Sequence, residues 1–283
     1  MSVEVMGFGS PGYPASLSRL GRTAPAQLFL IGDKSHLAGP AVAIVGTRDA
    51  TGYGIRATRT LATAFARAGV SVISGMARGI DAAAHRAAIE AGGRTVAVLG
   101  TGIDVPYPRG HRDLHRLIGE RACVVSEYGP GVGAFPGTFP RRNRIIAALA
   151  PLTIIVEAGH RSGALITARH AKAIGNEVAC VPGPFDSPQS AGSNHLLRDG
   201  APFIASVADA LSMVGIASPD EVEPLHLTEA DGRVWKTLAG GPLLPDMLAV
   251  KCHLTVRECL AAITSLELQG LAECLVSGEV RRR

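Results

Sequence analysis

Between residues 41 and 181 the chain repeats one unit: a short run rich in Val and Ile, then a segment with apolar residues at helical spacing. The runs are Ala41–Val45, Ser71–Ser74, Thr95–Leu99, Ala122–Ser126, Leu152–Val156 and Glu177–Val181. The intervening segments are Tyr53–Ala68, Ile80–Ala91, Arg109–Ile118, Arg142–Leu149 and Ala164–Ile174. Strands this uniformly apolar have to be covered on both sides, and parallel strands need a crossover, normally a helix. The alternation therefore predicts an α/β fold: a Rossmann-like parallel sheet with helices on both faces, over residues 41–215. Residues 1–40, broken by Pro11, Pro14, Pro25 and Pro40, read as a poorly periodic N-terminal extension.

The C-terminal part has a different texture. Residues 216–224, with Ser218-Pro219 and three acidic residues, read as a linker. From residue 225 to 283 the pattern is three helices and a hairpin. Val234, Trp235 and Leu238 lie on one face of the first helix, and Gly240-Gly241-Pro242 ends it. Thr255 and Glu258 have capping-box spacing ahead of a helix whose apolar face is Val256, Cys259, Leu260, Ile263 and Leu266, and Gly270 closes that helix. The hairpin is Leu271–Val276 and Glu279–Arg283. This is a small winged-helix pattern.

Composition removes several classes. With 47% hydrophobic and 18% charged residues, the chain is not globally disordered. The apolar run Ile145–Val156 is too short to span a bilayer, so no membrane association is expected. The start, Met1-Ser-Val-Glu-Val, lacks a secretory signal pattern. Five scattered cysteines with no Cys-x-x-Cys pair suit a reducing, cytoplasmic compartment and predict neither a disulfide framework nor a metal site. Charge is uneven: Asp220–Arg283 holds 10 acidic and 7 basic residues, net −3, leaving 14 acidic and 21 basic residues, net +7, for Met1–Pro219. The large domain can attract a polyanion; the small one, taken whole, does not.

Ligands of open parallel sheets sit beyond the carboxyl ends of the strands. In this sequence those ends are rich in glycine: Gly46-Thr47-Arg48, Ser74-Gly75-Met76-Ala77-Arg78-Gly79, Gly100-Thr101-Gly102, Ser126–Pro140, Glu157–Gly163 and Pro182-Gly183-Pro184. Glycines here either let a ligand approach or simply make turns, while the following helix N-termini favour anions. The dinucleotide fingerprint is absent, as are the P-loop, His-Glu-x-x-His and Gly-x-Ser-x-Gly patterns, so no cofactor is expected. Asp81 and His85 share a helix face and read as a helix cap with a packed histidine ahead of a base with its orienter, and Glu157 follows a buried strand. The densest cationic cluster is Phe139-Pro140-Arg141-Arg142-Asn143-Arg144 at a helix start, where arginines oppose the helix dipole and call for an anion or a carboxylate such as Glu127 or Glu157. Phosphate contact, with Phe139 or Phe135 stacking on a base, is the functional reading. Arg48, Arg78, Arg109 and Arg161 fall on other loops of the same edge, a row that suits an extended polyanion.

These residues resemble the DNA-processing family DprA/Smf. The resemblance rests on Ile44-Val-Gly-Thr-Arg48, Ser74-Gly-Met-Ala-Arg-Gly-Ile-Asp81, Val98-Leu-Gly-Thr-Gly-Ile-Asp104 with Tyr107-Pro108, Phe139-Pro-Arg-Arg-Asn-Arg-Ile-Ile146, Val156-Glu-Ala158 with Ser162–Thr167, and Val181-Pro-Gly183. It implies a homodimer that binds single-stranded DNA and delivers it to the RecA recombinase in natural transformation. It also implies DNA contacts at Arg48, Ser74, Gly75, Arg78, Arg109, Phe139, Arg142, Asn143 and Arg144, and no catalysis. An N-terminal SAM-like domain, carried by some members, is not expected. Arg109, His111 and Ala164 stand where relatives often carry Lys, Asn and Ser. The winged-helix face, with Arg257, Glu258, Glu267 and Gln269, is a poor DNA reader and suits a protein contact. Two other classes stay open on the residues: a phosphoribohydrolase-like enzyme using Glu157, although the Pro-Gly-Gly-x-Gly-Thr loop is missing, and a small-nucleotide sensor.

Overall fold

The computed structural model describes residues 2–216, 227–269, 271–275 and 277–282, arranged as two compact units that divide at residue 218. The larger unit is built on an eight-stranded sheet. Its strands are β1 (Glu4–Gly7), β2 (Gln27–Gly32), β3 (Ala41–Val45), β4 (Ser71–Ser74), β5 (Thr95–Leu99), β6 (Cys123–Ser126), β7 (Leu152–Ile155) and β8 (Glu177–Cys180). The order across the sheet is β1-β2-β6-β5-β4-β3-β7-β8. The six strands from β3 onward are parallel, and each of the five intervals between them is crossed by one α-helix: α1 (Gly52–Arg67), α2 (Ile80–Glu90), α3 (Arg112–Arg121), α4 (Thr138–Leu149) and α5 (Ala164–Ala173). Two further helices, α6 (Ala191–Arg198) and α7 (Val207–Ser212), follow β8.

Strand alternation sorts the core into two layers. Val42 and Ile44 of β3 face α1 and α2, packing with Leu61, Phe65, Ile80 and Ala84. Ala43 and Val45 face the opposite layer, with Ile145 and Ile146 of α4 and Ala168 of α5. The connection order makes β3 and β7 neighbours although β4, β5 and β6 lie between them in the chain, so the sheet reverses its winding there and opens a crevice above the β3–β7 boundary.

The lead-in is not an appendage. β1 pairs with β2, and β2 pairs antiparallel with β6, which extends the parallel sheet by two strands. Leu17, Leu28 and Leu30 are fully buried in the layer that holds α4. Its turns and prolines hide two short strands from a periodicity argument.

The smaller unit contains α8 (Glu229–Thr237), α9 (Pro245–Lys251), α10 (Val256–Leu268) and the hairpin β9 (Ala272–Cys274) with β10 (Val280–Arg282). Thr228 and Thr255 both close capping boxes, with Asp231 and Glu258. Val234, Trp235 and Leu238 are buried as expected. The expected apolar face of α10 is only partly correct: Cys259, Ile263 and Leu266 are buried with Ala262, whereas Val256 and Leu260 are 53% and 47% exposed. The small Ala262 lets α10 rotate its core-facing stripe toward the Cys259–Ala262–Leu266 side. The linker expected at 216–224, apart from Ile216, and the closing Gly270 lie outside the described residues. No helix among the described residues is long and apolar enough to cross a membrane.

One buried group couples this fold to pH. The His85 side chain is fully buried on α2, with Nδ1 2.7 Å from Thr95 Oγ1. Thr95 donates its hydroxyl to the Val72 carbonyl at 2.6 Å, so Nδ1–H must be the donor in the histidine contact. Burial, with Arg142 and His111 nearby, pushes the imidazole down to about 3. The unfolded chain then binds a proton below the ordinary value of 6.5 that the folded chain refuses. Stability should fall as pH drops from 6.5 toward 3, with a slope from this residue of up to about 1.4 kcal/mol per pH unit. Urea unfolding between pH 7 and 5 checks this: His85→Gln should be flatter than wild type, and parallel curves would refute the assignment.

Candidate nucleic-acid interface

The crevice predicted by the winding reversal is a cavity of about 410 Å³. It is lined by the loop after β3 (Gly46–Asp49), by Asp81 of α2, by Phe139, Arg142 and Asn143 of α4, and by the start of α5. A second cavity of about 270 Å³ adjoins it, lined by Arg48, Gly75, Arg78, Tyr107, Pro108, Phe139 and Arg142. Arg48, Ala77, Phe139 and Arg142 line both, so the two form one trough along the carboxyl ends of β3, β4, β5 and β7.

The N-terminal turn of α4 builds the trough's floor. Arg142 is only 4% exposed, and its Nη1 donates to the Gly75 carbonyl at 2.7 Å and to the Val98 carbonyl. The guanidinium lies against Gly75 so closely that a Cβ there would sit 2.5 Å from Nη1. Phe139 fits Gly100 the same way, where a Cβ would meet the ring at 2.8 Å. These two glycines make room for α4, not for a ligand. The β4–α2 loop is bent to match: Met76 is fully buried at φ 58°, a conformation non-glycine residues seldom adopt. Asp81 straps the bend by accepting from the Gly75 amide at 3.2 Å and the Ala77 amide at 3.4 Å. Burial holds the Asp81 carboxyl above the usual carboxylate range, against the opposing pull of Arg142 and the two amides. Burial likewise brings Arg142 down to about 10, so it remains a cation at neutral pH.

The remaining positions separate by exposure. Arg48 is exposed with its guanidinium 5.9 Å above the Phe139 ring, and Tyr107 packs on the same aromatic in a tilted arrangement with centroids 4.8 Å apart. Arg78, Arg109 and Arg161 are exposed and, like Arg48, have no carboxylate partner among the described residues. Asn143 is half-buried, donating to the Gly163 carbonyl at 3.2 Å and tying α4 to the start of α5. Ser74 and Arg144 point inward and line neither cavity. Ser74 is fully buried and donates to the Ile44 carbonyl at 2.7 Å. Arg144 forms a two-pronged pair with Glu127 at 2.7 and 3.2 Å and donates from Nε to the Thr23 carbonyl, clamping α4 to β6 and the lead-in. The carboxylate anticipated for the arginine run is thus Glu127, which Arg141 also reaches at 3.4 Å. Phe135 is 56% exposed.

Glu157 is fully buried and turned away from the trough. Its two oxygens accept from the Thr51 amide at 2.9 Å and the Thr51 hydroxyl at 2.5 Å, anchoring the start of α1. No cluster of three or more His, Cys, Asp or Glu placed to hold a metal occurs among the described residues. Tyr107 is a trough residue that sequence reasoning underused. Tyr107's place two residues before Arg109, on a loop of the same rim, was the available signal.

If Gly75 serves α4, Gly75→Ala should destabilise the fold by about 1–3 kcal/mol through the forced shift of Arg142. Gly52→Ala, where a Cβ meets only the Arg56 tip at 3.5 Å, is the neutral comparison. Equal urea midpoints for the two variants would show that Arg142 does not need the glycine.

The chain is similar to known proteins in sequence and fold. Residues 4–215 match the family described as DNA recombination-mediator protein A, and residues 218–278 match the DprA winged helix domain. The chain is 42% identical over 261 residues to the putative DNA processing protein DprA of Mycobacterium tuberculosis, covering 89% of this chain and 67% of that one. The X-ray structure of DNA processing protein A from Streptococcus pneumoniae superposes with a TM-score of 0.71 at 39% identity, covering 75% of this chain and 74% of that one. A Helicobacter pylori structure titled for the single-stranded DNA binding mode of its DNA processing protein A gives 0.68 at 28% identity, covering 75% and 95%.

Proposed function

The chain belongs to the DNA recombination-mediator protein A family, the DprA/Smf proteins, and on that premise we propose that it binds single-stranded DNA in the trough and helps load the RecA recombinase on the bound strand during natural transformation and DNA recombination. The observation that carries the DNA reading is Arg48 poised over Phe139 where the two cavities meet, with Arg78, Arg109 and Arg161 unpaired on the surrounding loops. A single strand offers what this surface can use: phosphates for the free guanidiniums and exposed base faces for the Phe139–Tyr107 pair. A duplex hides its base faces. The family's description as a recombination mediator supports the step to a cytoplasmic recombinase. Phe185, 97% exposed, and Phe203, 63% exposed, follow the edge strand β8, whose Cys180 is bridged by Phe203, and these exposed rings support a homodimer through that side of the sheet.

Within this reading the strand meets Arg48, Arg78, Arg109, Phe139, Asn143 and the Gly75 loop. Arg142 supplies field from the floor, and Ser74 and Arg144 hold the rim in shape from inside. Binding rather than catalysis is supported by Glu157, the carboxylate a hydrolytic reading would need, because both its oxygens are engaged at Thr51.

Fluorescence anisotropy with a labelled oligothymidylate tests the reading. Arg48→Glu should weaken binding at least about tenfold, and Arg48→Gln should lower the slope of log K against log salt by about 0.7. Both variants should keep the wild-type melting temperature, since Arg48 is exposed. Undiminished affinity in Arg48→Glu would refute the trough. Arg142→Glu cannot serve as that test, because a reversed charge buried beside Asp81 should cost the fold itself about 3–5 kcal/mol.

A further inference from the structure

α1 starts at the rim, where Thr51 is fastened to Glu157, and runs 16 residues away from it. Its outer surface carries Arg56, Arg59, Thr60, Thr63 and Arg67. At 100° per residue these five positions fall within a sector of about 100°, and Arg56 and Arg67 stand about 16 Å apart along the axis. Arg59, Thr60, Thr63 and Arg67 line an open depression of about 410 Å³ against Val207 of α7. No carboxylate lines it. Arg59 is bridged to Glu90 at 2.7 Å with both side chains half exposed, a weak tie, while Arg56 and Arg67 have no partner among the described residues. On α7, Asp209 is engaged by the amides of Ala205 and Ser206.

The threonines behave differently from their neighbour. Thr58 turns its hydroxyl back to the Gly54 carbonyl at 2.7 Å, the usual helical arrangement. Thr60 and Thr63 make no such bond, and their hydroxyls are unpartnered among the described residues. Cations spaced along a helix, with free hydroxyls between them and no aromatic in the depression, fit a sugar–phosphate backbone and offer nothing to a base.

We propose that this face of α1 is a backbone track that receives the single strand as it leaves the trough, lengthening the footprint without reading bases. The inference rests on the strand-binding reading above. Loop and helix supply the path: Arg48 precedes α1 on the rim loop, Arg56 follows one turn into the helix, and Arg59 and Arg67 continue it.

Two oligothymidylates, of about six and about eighteen nucleotides, separate the track from the trough. Wild type should bind the longer one more tightly and with a steeper salt dependence. Arg56→Gln/Arg67→Gln should bind the short strand like wild type, lose most of the gain with length, and show a salt slope on the long strand lower by about 1.4. Both side chains are exposed, so thermal melting should match wild type. A length gain and slope unchanged in the double variant would overturn the track and leave the trough standing. Failure of wild type to bind the short strand, or equal binding by Arg48→Glu, would overturn the trough reading and the track with it.

Discussion

The burial of Arg142 under the β4–α2 loop is the contact on which the rest of the rim depends. A guanidinium at 4% exposure has to satisfy its donors internally, and here the Gly75 and Val98 carbonyls do so. That seats α4 deep enough for Phe139 to reach Gly100, bends the chain through Met76, and makes Asp81 the strap of the bend. Remove the cation and Asp81 is left as an uncompensated buried carboxyl, so the loop and the helix stand or fall together.

The parallel sheet and its helices were legible because they rest on long-range repetition. The strands β3, β4 and β5 run as expected from Val/Ile runs, and the covering helices agree within a few residues. α4 differs most, starting at Thr138 rather than at Arg142, because Pro140 in a first turn costs no hydrogen bond and the helix absorbs it. The lead-in strands were not legible, since β1 and β2 depend on a partner, β6, about 90 residues away. Their apolar residues, Leu28 and Leu30, gain meaning only once that partner is in place.

The site was legible as a set of loops and illegible in its inner arrangement. Glycines at strand ends suggest space for a ligand, but spacing does not say who occupies the space. At Gly75 and Gly100 the occupant is the protein's own Arg142 and Phe139. In the same way a run of arginines at one helix start looks uniform in sequence. The helix phase separates it: Arg141 faces solvent, Arg142 faces the β4 loop, and Arg144 faces Glu127 and Thr23. Arg142, one residue and about 100° from Arg141, meets a different surface, whereas Arg141 and Arg144, three residues apart, share a face and both reach Glu127.

The buried and exposed cations are nonetheless coupled. Burial lowers the Arg142 guanidinium most, Asp81 pulls it back up, and the like charge of Arg48 lowers it by the smallest share. The surplus positive field where the two cavities meet therefore comes from Arg48, which is exposed and has no carboxylate partner among the described residues. A phosphate beside Arg48 would meet a guanidinium that no carboxylate among the described residues engages. The cation that folding buries at Arg142 shapes the rim, and the cation that it leaves exposed at Arg48 is the one placed to attract a polyanion along the trough.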